Sequence, residues 1–215
     1  MRLRTILFCA ALGFGLVPGS SRASIIFTLG NHPQPGEENV LLNTGTTGTT
    51  VFGETNQTHL PVQFTSTQTL TEPSKGQARI EATNGTSQIG LTNVTISIPG
   101  GTYGDLIFNP DITGTIGVPG GTLHVSVTDT LGNVSPFDYT LSNGSNFLTI
   151  TTAGGERIAS TSLSYSLDTG FTDLRQIRIS GAYVPEPAAV TMLATSLGVI
   201  AACYGIRRSR RAQGA

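Results

Sequence analysis

Apolar and polar residues alternate with a period of two along most of this 215-residue chain. Val94, Ile96 and Ile98 form one apolar series, and the polar residues between them would point to the opposite side of a strand. No window of a dozen residues between 24 and 183 shows helical spacing. Similar strand-like patterns occur at 25–29, 62–70, 78–82, 123–127, 137–141, 148–150, 163–167 and 177–179. The pattern predicts an all-β fold of about nine short strands, a single antiparallel β-sandwich or jelly-roll-like domain.

Glycine-containing turn sequences separate these segments. Asn84-Gly85 and Asn143-Gly144 stand between alternating runs, and both residue types tolerate a positive φ, so we expect tight hairpin turns there. Residues 31–56 break the pattern with a Pro/Gly-containing acidic stretch and then a Thr/Gly tract. We expect a long loop or a weak edge at 31–56, with its Thr/Gly tract 44–50 as a flexible polar loop.

The composition of residues 24–183 limits both stability and partners. This stretch of about 160 residues is long enough for one domain with its own core. It contains no cysteine, since Cys9 and Cys203 lie outside it, so disulfides cannot stabilise it. Five basic and twelve acidic side chains give it a formal charge of −7. Nucleic acids and anionic lipid surfaces require basic patches, so we expect no nucleic-acid partner.

The first 23 residues have the pattern of a secretory signal peptide. Arg2 and Arg4 precede a short apolar run, and a Ser-Arg-Ala sequence with small residues at the recognised positions ends at Ala23. We expect Sec-dependent export and cleavage by signal peptidase after Ala23. A permanent anchor is the alternative, but about a dozen apolar residues are short for one.

A second apolar run lies near the carboxyl end. Residues 188–206 are nineteen residues without charge, and as a helix they would span about 28 Å, close to the thickness of the hydrocarbon core. Arginines follow this run and would stay on the cytoplasmic side, placing the bulk of the chain outside; they are Arg207, Arg208, Arg210 and Arg211. A buried core helix is the alternative, although such helices are rarely apolar on all sides.

Val184-Pro185-Glu186-Pro187, the apolar run and the arginine cluster stand in that order at the extreme carboxyl end. Together, residues 184–211 resemble the PEP-CTERM sorting signal of Gram-negative bacteria. The resemblance implies recognition by an exosortase, a membrane-embedded cysteine enzyme, through Pro185, Glu186 and Pro187. It also implies cleavage near this motif and an association of the protein with exopolysaccharide and biofilm matrix. Some collections label the same tail an ice-binding carboxyl-terminal domain, which says nothing about residues 24–183.

Residues 24–183 offer few candidates for chemistry. His32, His59 and His124 have no partner at metal-ligand spacing, and no nucleophile, metalloprotease or phosphate-loop motif is present. The acidic segments 129–133 and 168–173 could ligate calcium, but Asp and Asn also form turns without a metal, and both readings stay open. The sequence therefore predicts no catalytic residue and no cofactor, and it assigns no residue to a metal site, while calcium at the two acidic segments stays open.

Three hypotheses for function follow. The first is a non-enzymatic protein sorted to the cell envelope or extracellular matrix, whose β-domain contacts extracellular polysaccharide or protein. The second is a secreted polysaccharide-active enzyme with the same tail, which requires a deep pocket with convergent carboxylates. The third is an ice-binding or adhesive module, which requires a flat face with regularly repeated Thr. One Thr/Gly tract does not supply such a face.

Overall fold

The computed structural model describes residues 24–42, 45–72, 76–113 and 116–185. Within these ranges the chain forms fourteen β-strands and no helix. The strands are β1 (Ser24–Leu29), β2 (Glu38–Leu42), β3 (Thr47–Thr55), β4 (Pro61–Thr71), β5 (Gly76–Gln77), β6 (Arg79–Thr83), β7 (Gln88–Ile89), β8 (Asn93–Ser97), β9 (Asp105–Asp111), β10 (Thr122–Asp129), β11 (Val134–Thr140), β12 (Leu148–Ala153), β13 (Ile158–Tyr165) and β14 (Asp173–Ser180). The predicted all-β class is confirmed.

All strand pairs are antiparallel and follow one another in the order β1-β12-β9-β14-β2-β3-β4-β8-β13-β10-β11. We call β1, β12, β9 and β14 the β9 half, and β3, β4, β8, β13, β10 and β11 the β10 half. The two ends of the order meet, because Phe27 of β1 stacks on Phe137 of β11 with ring centroids 4.9 Å apart. The sheet therefore curls back on itself, and its first and last strands face each other across a seam.

One hydrophobic core lies between the two halves. Leu106 and Ile150 come from the β9 half, Phe64 and Val125 from the β10 half, and all four belong to the same buried cluster. Each such side chain contributes about 1.5–3 kcal/mol by leaving water. Tyr103 is fully buried, and its hydroxyl donates to Thr161 Oγ1 at 2.8 Å. The polar hydroxyl is therefore hydrogen-bonded inside the core.

The strand faces predicted from the alternation are correct at most positions. The residues confirmed as buried are Val94, Ile96, Ile98, Leu123, Val125, Val127, Leu148, Ile150, Leu163, Tyr165, Ile177 and Ile179. In the series at 137–141, Leu141 is buried, whereas Phe137 and Tyr139 are half-buried and pack against the core. Leu167 is an exception, because it lies beyond the end of β13 and is exposed. A period of two places every second side chain on the core side, so these faces could be assigned without knowing which strands pair.

The prediction for residues 31–56 was wrong. This region contains β2 and β3, and Val40, Leu42 and Val51 are buried in the core. Its Thr/Gly tract is not a flexible loop throughout, since residues 47–50 open β3 and pair with β4. Threonine is β-branched and suits a pleated, half-exposed strand, which the tract's polarity concealed.

The predicted hairpin at Asn143-Gly144 was also wrong. It joins β11 to β12, which lie in different halves and do not pair. The glycine turns at 99–101, 119–121 and 154–155 likewise carry the chain from one half to the other. Asn84-Gly85 does lie in a hairpin, between β6 and β7, with Gly85 at a φ of 91°. Such sequences specify a change of direction locally, but not which strand comes next to which.

The end of the described chain is attached to the folded body. From the sequence we predict that 180–184 links the domain to a membrane span. In the structure this segment is packed on the body, since Ser180 ends β14, Ala182 and Val184 pack against the core, and Tyr183 bridges to Thr102. Its link to a membrane span stays a prediction. Among the residues that the structure describes, no helix is long and apolar enough to cross a bilayer. The predicted signal peptide 1–23 and apolar span 188–206 lie outside those residues.

Candidate functional site

A cluster of acidic and basic side chains lies where β6, β9 and β14 meet. Asp173 is fully buried, and it accepts from Arg79 Nε at 2.9 Å and from Arg175 Nε at 2.6 Å. Arg175 also pairs with Asp111, and Arg79 Nη2 lies 2.7 Å from a carboxylate oxygen of Glu81. The hydrogen bonds with Asp173 raise the pKa of Arg175. We call these five residues the charged cluster.

The charged cluster does not have the arrangement of a catalytic carboxylate pair. Each of its three carboxylates contacts a guanidinium, and the strands holding them are directly paired. A glycosidase acid and its partner carboxylate must face a substrate, with the two carboxyl groups about 5–9.5 Å apart across the scissile bond. Here Asp111 and Asp173 share a single guanidinium, which is the geometry of a stabilising network.

A cleft of about 390 Å³ lies at the seam between β1 and β11. We call it the seam cleft. It is lined by Leu29, Gly30, Asn31, Tyr139, Thr140, Ser142, Ser145, Asn146 and Phe147. These residues come from the end of β1 and the following loop, from the end of β11, and from the loop that joins β11 to β12. The lining contains hydroxyl, amide, aromatic and aliphatic groups and no carboxylate.

Asn146 fixes the loop that forms one wall of the seam cleft. Its Nδ2, which has two hydrogens to share among them, lies within hydrogen-bond distance of the carbonyls of Ser142 at 2.8 Å, Gly144 at 3.1 Å and Pro110 at 3.2 Å. Its Oδ1 accepts from the Ser142 amide at 2.8 Å, and its own amide donates to Asn109 Oδ1 at 2.8 Å. A buried side chain amide with this many partners fixes the backbone of the turn. The loop is therefore a preformed wall.

The opposite wall is also attached to the body. Gly30 N donates to Phe147 O at 2.8 Å, and Thr149 Oγ1 donates to Gly30 O at 2.8 Å. Arg178 donates to Asn31 Oδ1 and to Glu37, and the Asn31 amide group is thereby oriented at the rim. Both walls are thus fixed before any ligand arrives, which reduces the entropy lost on binding.

The chemistry of the seam cleft is amphipathic. Leu29 is 57% exposed, and it provides an apolar surface beside the ring of Tyr139. The Tyr139 hydroxyl donates to Asn146 O at 3.1 Å, and burial raises the pKa of this tyrosine, so it remains neutral. Ser142 and Ser145 are exposed on the polar side. Apolar surface next to a few placed hydroxyl and amide groups is the usual composition of a small-molecule site.

Hydroxyl side chains also form a row across the outer face of the β10 half. Direct cross-strand partners align Thr50, Thr65, Thr95, Ser162 and Ser126, from β3 to β10. This row extends the hydroxyl surface well beyond the single tract seen in the sequence. A sheet twists by about 20–25° per strand, so five strands rotate the row by about 80–100°. A row turned by this usual amount does not favour the flat face that ice binding requires.

In both acidic loops considered for calcium, an aspartate is occupied by contacts within the protein, but the contacts differ. Asp129 Oδ1 accepts from the amides of Leu131 and Asn133 at 2.8 Å each, and Oδ2 accepts from Asn133 Nδ2 at 2.7 Å. These bonds, the one from the Asn133 side chain first, lower the pKa of Asp129. Asp129 is thus a turn-forming residue. In the other loop, Asp173 belongs to the charged cluster. The described residues include no group of three or more potential metal ligands.

The three histidines lie apart, and each has a local contact. His124 Nδ1 lies 2.9 Å from the Asp138 carboxylate on the neighbouring strand, with both side chains exposed, and His59 Nδ1 lies 3.6 Å from Glu54. His32 Nε2 lies 3.1 Å from Leu29 O near the seam cleft. None of these pairs forms part of a larger cluster of ligands in the described ranges.

The residues predicted for sorting fall mostly outside the described residues. Pro185 is the last residue described, and it is exposed. The others lie beyond the described ranges: Ala23, Glu186, Pro187, Arg207, Arg208, Arg210 and Arg211. Their predicted roles stay predictions. The seam cleft was missed in the sequence because its walls come from residues about 110 positions apart, and only the turn sequence near Asn143 pointed towards it.

No family model matches this chain, and no sequence of a characterised protein matches it. Among solved structures, the chain is similar to one described as "Carbohydrate binding module family29". The similarity has 15% sequence identity and a TM-score of 0.25, and it covers 75% of this chain and 87% of that chain. A TM-score of this size supports no transfer of function, so the function of this chain has to be inferred from its own cleft.

Proposed function

We propose that this protein is an exported, non-catalytic β-domain that binds a neutral extracellular polysaccharide in the seam cleft. The observation that carries the proposal is the lining of the cleft, where exposed Leu29 and the Tyr139 ring face hydroxyl and amide groups. A sugar ring has an apolar C–H face and an equatorial rim of hydroxyls, so it matches both kinds of surface at once. The two attached walls support recognition without a large conformational change.

Charge favours a neutral glycan over an acidic one. Residues 24–183 have a formal charge of −7, which repels uronic-acid or sulfated chains at low ionic strength. Arg178 is the basic residue at the rim, and it is already paired with Glu37. A neutral polysaccharide avoids both penalties.

The finer architecture proposed is a β-sandwich with jelly-roll-like connections. It is supported by the repeated crossing of the chain between the β9 and β10 halves and by the single core between them. Two observations support a non-catalytic role. The described residues that line the seam cleft include no carboxylate, and Asp111, Asp173 and Glu81 are paired with arginines.

Sorting to the cell envelope or matrix belongs to the same proposal. It is supported by the two terminal sequences, which resemble a signal peptide and a PEP-CTERM sorting signal. In this proposal, signal peptidase removes 1–23, the apolar run holds the precursor in the membrane, and an exosortase cleaves near Pro185-Glu186-Pro187. The protein then acts in the exopolysaccharide or biofilm matrix.

Binding is tested with the exported protein and a panel of neutral and acidic polysaccharides, by affinity electrophoresis. Leu29→Asp places a charge in the cleft at a side chain that is 57% exposed, so folding should be retained. We expect at least a tenfold loss of binding to the neutral glycan. The matched control is Leu131→Asp, because Leu131 is 81% exposed in the β10–β11 turn. The proposal would be refuted if Leu29→Asp and Leu131→Asp bound the neutral glycan equally well. It would also be refuted if the wild-type protein shortened the glycan chains.

Sorting is tested by the intact mass of the exported form, which reports both cleavage sites. Replacement of Glu186 or deletion of the four tail arginines should leave the precursor in the membrane. Normal release of either variant would show that the tail has another role.

A further inference from the structure

The residues just before Pro185 form a strap, defined here as residues 181–184, that is bound to the folded body. Tyr183 N donates to Thr102 O and Thr102 N donates to Tyr183 O, both at 2.8 Å. Ala182 and Val184 pack against the core. Tyr183 and Thr102 thus form a short strand-like pair. The strap continues directly into the Pro-Glu-Pro sequence, with no spacer residues in between.

Arg157 holds the strap in place from the loop between β12 and β13. Its Nε donates to Thr102 Oγ1 at 2.6 Å, its Nη2 donates to Thr102 O at 3.2 Å, and Nη2 also donates to Gly181 O. The guanidinium carbon lies 5.7 Å from the centroid of the Tyr183 ring. One side chain therefore contacts the strap at two points and its strand partner at two more.

The fit against the strap leaves no room for a side chain at Gly101. A Cβ on this glycine would lie 2.5 Å from Tyr183 O and 2.8 Å from Val184 Cγ2. The backbone of Gly101 therefore packs directly against the strap. The contact therefore has to open as a unit before the strap residues become accessible.

The distance available to a processing enzyme is short. From Val184 to Pro187 there are three residues, which reach about 10–11 Å when fully extended. A folded domain of this size has a radius of gyration of about 15 Å. A membrane-embedded enzyme that binds its substrate as an extended peptide would therefore need strap residues that are occupied by Thr102 and the core.

We propose that docking of the strap on the folded body slows cleavage at the Pro-Glu-Pro sequence, with Arg157 as the positioning residue that sets this delay. The inference rests on the proposed sorting function. The rate of processing is then the intrinsic rate multiplied by the fraction of molecules whose strap is undocked. Loss of the Arg157 hydrogen bonds should raise that fraction and the processing rate about five- to tenfold.

The experiment follows conversion of the full-length precursor by pulse-chase in a host that carries an exosortase. Arg157→Gln weakens the contact between strap and body from the body side, and Val184→Ser weakens it from the strap side. We expect both to shorten the half-life of the precursor. A flexible insertion between Val184 and Pro185 should also shorten it, because the motif gains reach while the strap remains docked. His124→Gln, which removes an exposed contact on β10, is the control and should not change it.

A second readout separates local undocking from general destabilisation. Hydrogen exchange of the Tyr183 amide should accelerate in Arg157→Gln, while that of the core Val125 amide should not. Unchanged or slower processing in Arg157→Gln and Val184→Ser, with wild-type conversion intact, would overturn the inference and leave the sorting function standing. Absence of wild-type conversion, with Glu186 variants behaving like the wild type, would refute the sorting function and this inference with it.

Discussion

The charged cluster and the seam cleft differ in how their polar groups are used. In the charged cluster, Asp173 is fully buried, and both its oxygens accept from arginine side chains. In the seam cleft, Asn146 is likewise saturated, but its bonds hold a loop whose serines remain exposed to solvent. The polar groups of the charged cluster are used up in joining three strands. In the seam cleft, buried polar groups fix the loop, and the exposed serines of that loop remain available to a ligand in the proposed site.

This difference shows why ionisable residues are a poor guide to the site in this protein. A search for acids leads to Asp111 and Asp173, which neutralise arginines between paired strands. The groups that line the proposed site are a leucine, a tyrosine ring, hydroxyls and amides. Surfaces of this kind recognise neutral ligands. We therefore expect changes in the charged cluster to affect mainly stability, and changes in the seam cleft to affect binding.

Removing the central carboxylate of the charged cluster should have the largest effect on stability. Asp173→Asn leaves Arg79 and Arg175 without their shared counter-charge, and we expect a loss of about 3 kcal/mol, since breaking a buried pair costs about 3–5 kcal/mol. Urea unfolding measures it. Asp138→Asn is the control, because the Asp138 side chain is 60% exposed, and it should cost less than about 1 kcal/mol. Similar losses in both variants would contradict a stabilising role for the cluster.

Removing the anchor of the seam cleft should affect both stability and binding. Asn146→Ala leaves three carbonyls and the Ser142 amide without this partner, and we expect a loss of about 2 kcal/mol together with a loss of glycan binding. Asn143→Ala, at an exposed position of the same loop, should change neither. Thermal unfolding and affinity electrophoresis measure the two effects. Full binding by Asn146→Ala would mean that the loop is not a wall of the site.

Removing the tyrosine hydroxyl tests how much the cleft depends on one internal bond. Tyr139→Phe removes the donor to Asn146 O at 3.1 Å and keeps the ring. We expect a cost of about 1 kcal/mol and a loss of binding smaller than that of Leu29→Asp. Isothermal titration with a soluble glycan fragment compares the two variants. A larger loss of affinity in Tyr139→Phe would show that the hydroxyl, and not the apolar wall, dominates recognition.

The smallest expected effect is a pH dependence that originates in the charged cluster. Burial raises the pKa of Glu81 above its usual 4.5, although the guanidinium of Arg79 opposes this. The folded protein therefore binds this proton more tightly than the unfolded chain does. The stability due to this group is present below about pH 4.5 and is lost as the pH rises through the folded pKa.

Glu81→Gln removes this titration. Melting temperatures measured between pH 4.5 and 7 should fall with rising pH more in the wild type than in this variant. Glu38 and Asp129 have lowered pKa values, so their contributions change below this range and should not obscure the comparison. Parallel pH profiles for wild type and variant would show that Glu81 does not titrate abnormally.

The sequence was sufficient for the class of fold and for the faces of most strands. Val94, Ile96 and Ile98 could be assigned to the core from spacing alone, because alternation is a local property of a strand. The partners of each strand were not accessible in this way. Asn143-Gly144 has the composition of a hairpin turn, yet it connects strands in different halves.

The charged cluster and the seam cleft could not be predicted, because both depend on distant pairings. Arg79 meets Asp173 across 94 positions, and Thr149 meets Gly30 across 119. Glu38 shows the same limit. It lies in an apparent loop, but it is buried and accepts from the amides of Gln57 and Thr58 at 2.8 Å each. Nothing in its neighbouring residues indicates that partnership.

The central place of β14 has a consequence for the order in which this domain can form. Synthesis begins at the amino end, so β14 is the last strand to become available, yet it pairs with β9, β2 and β6. Until residues 173–180 are present, β9 and β2 lack a neighbour, and the places of Leu174, Ile177 and Ile179 in the core are empty. A growing or truncated chain would therefore expose unpaired strand edges beside an open core, a combination that promotes aggregation. We infer that the core of the domain closes late, once residues 173–180 are available to pair with β9 and β2.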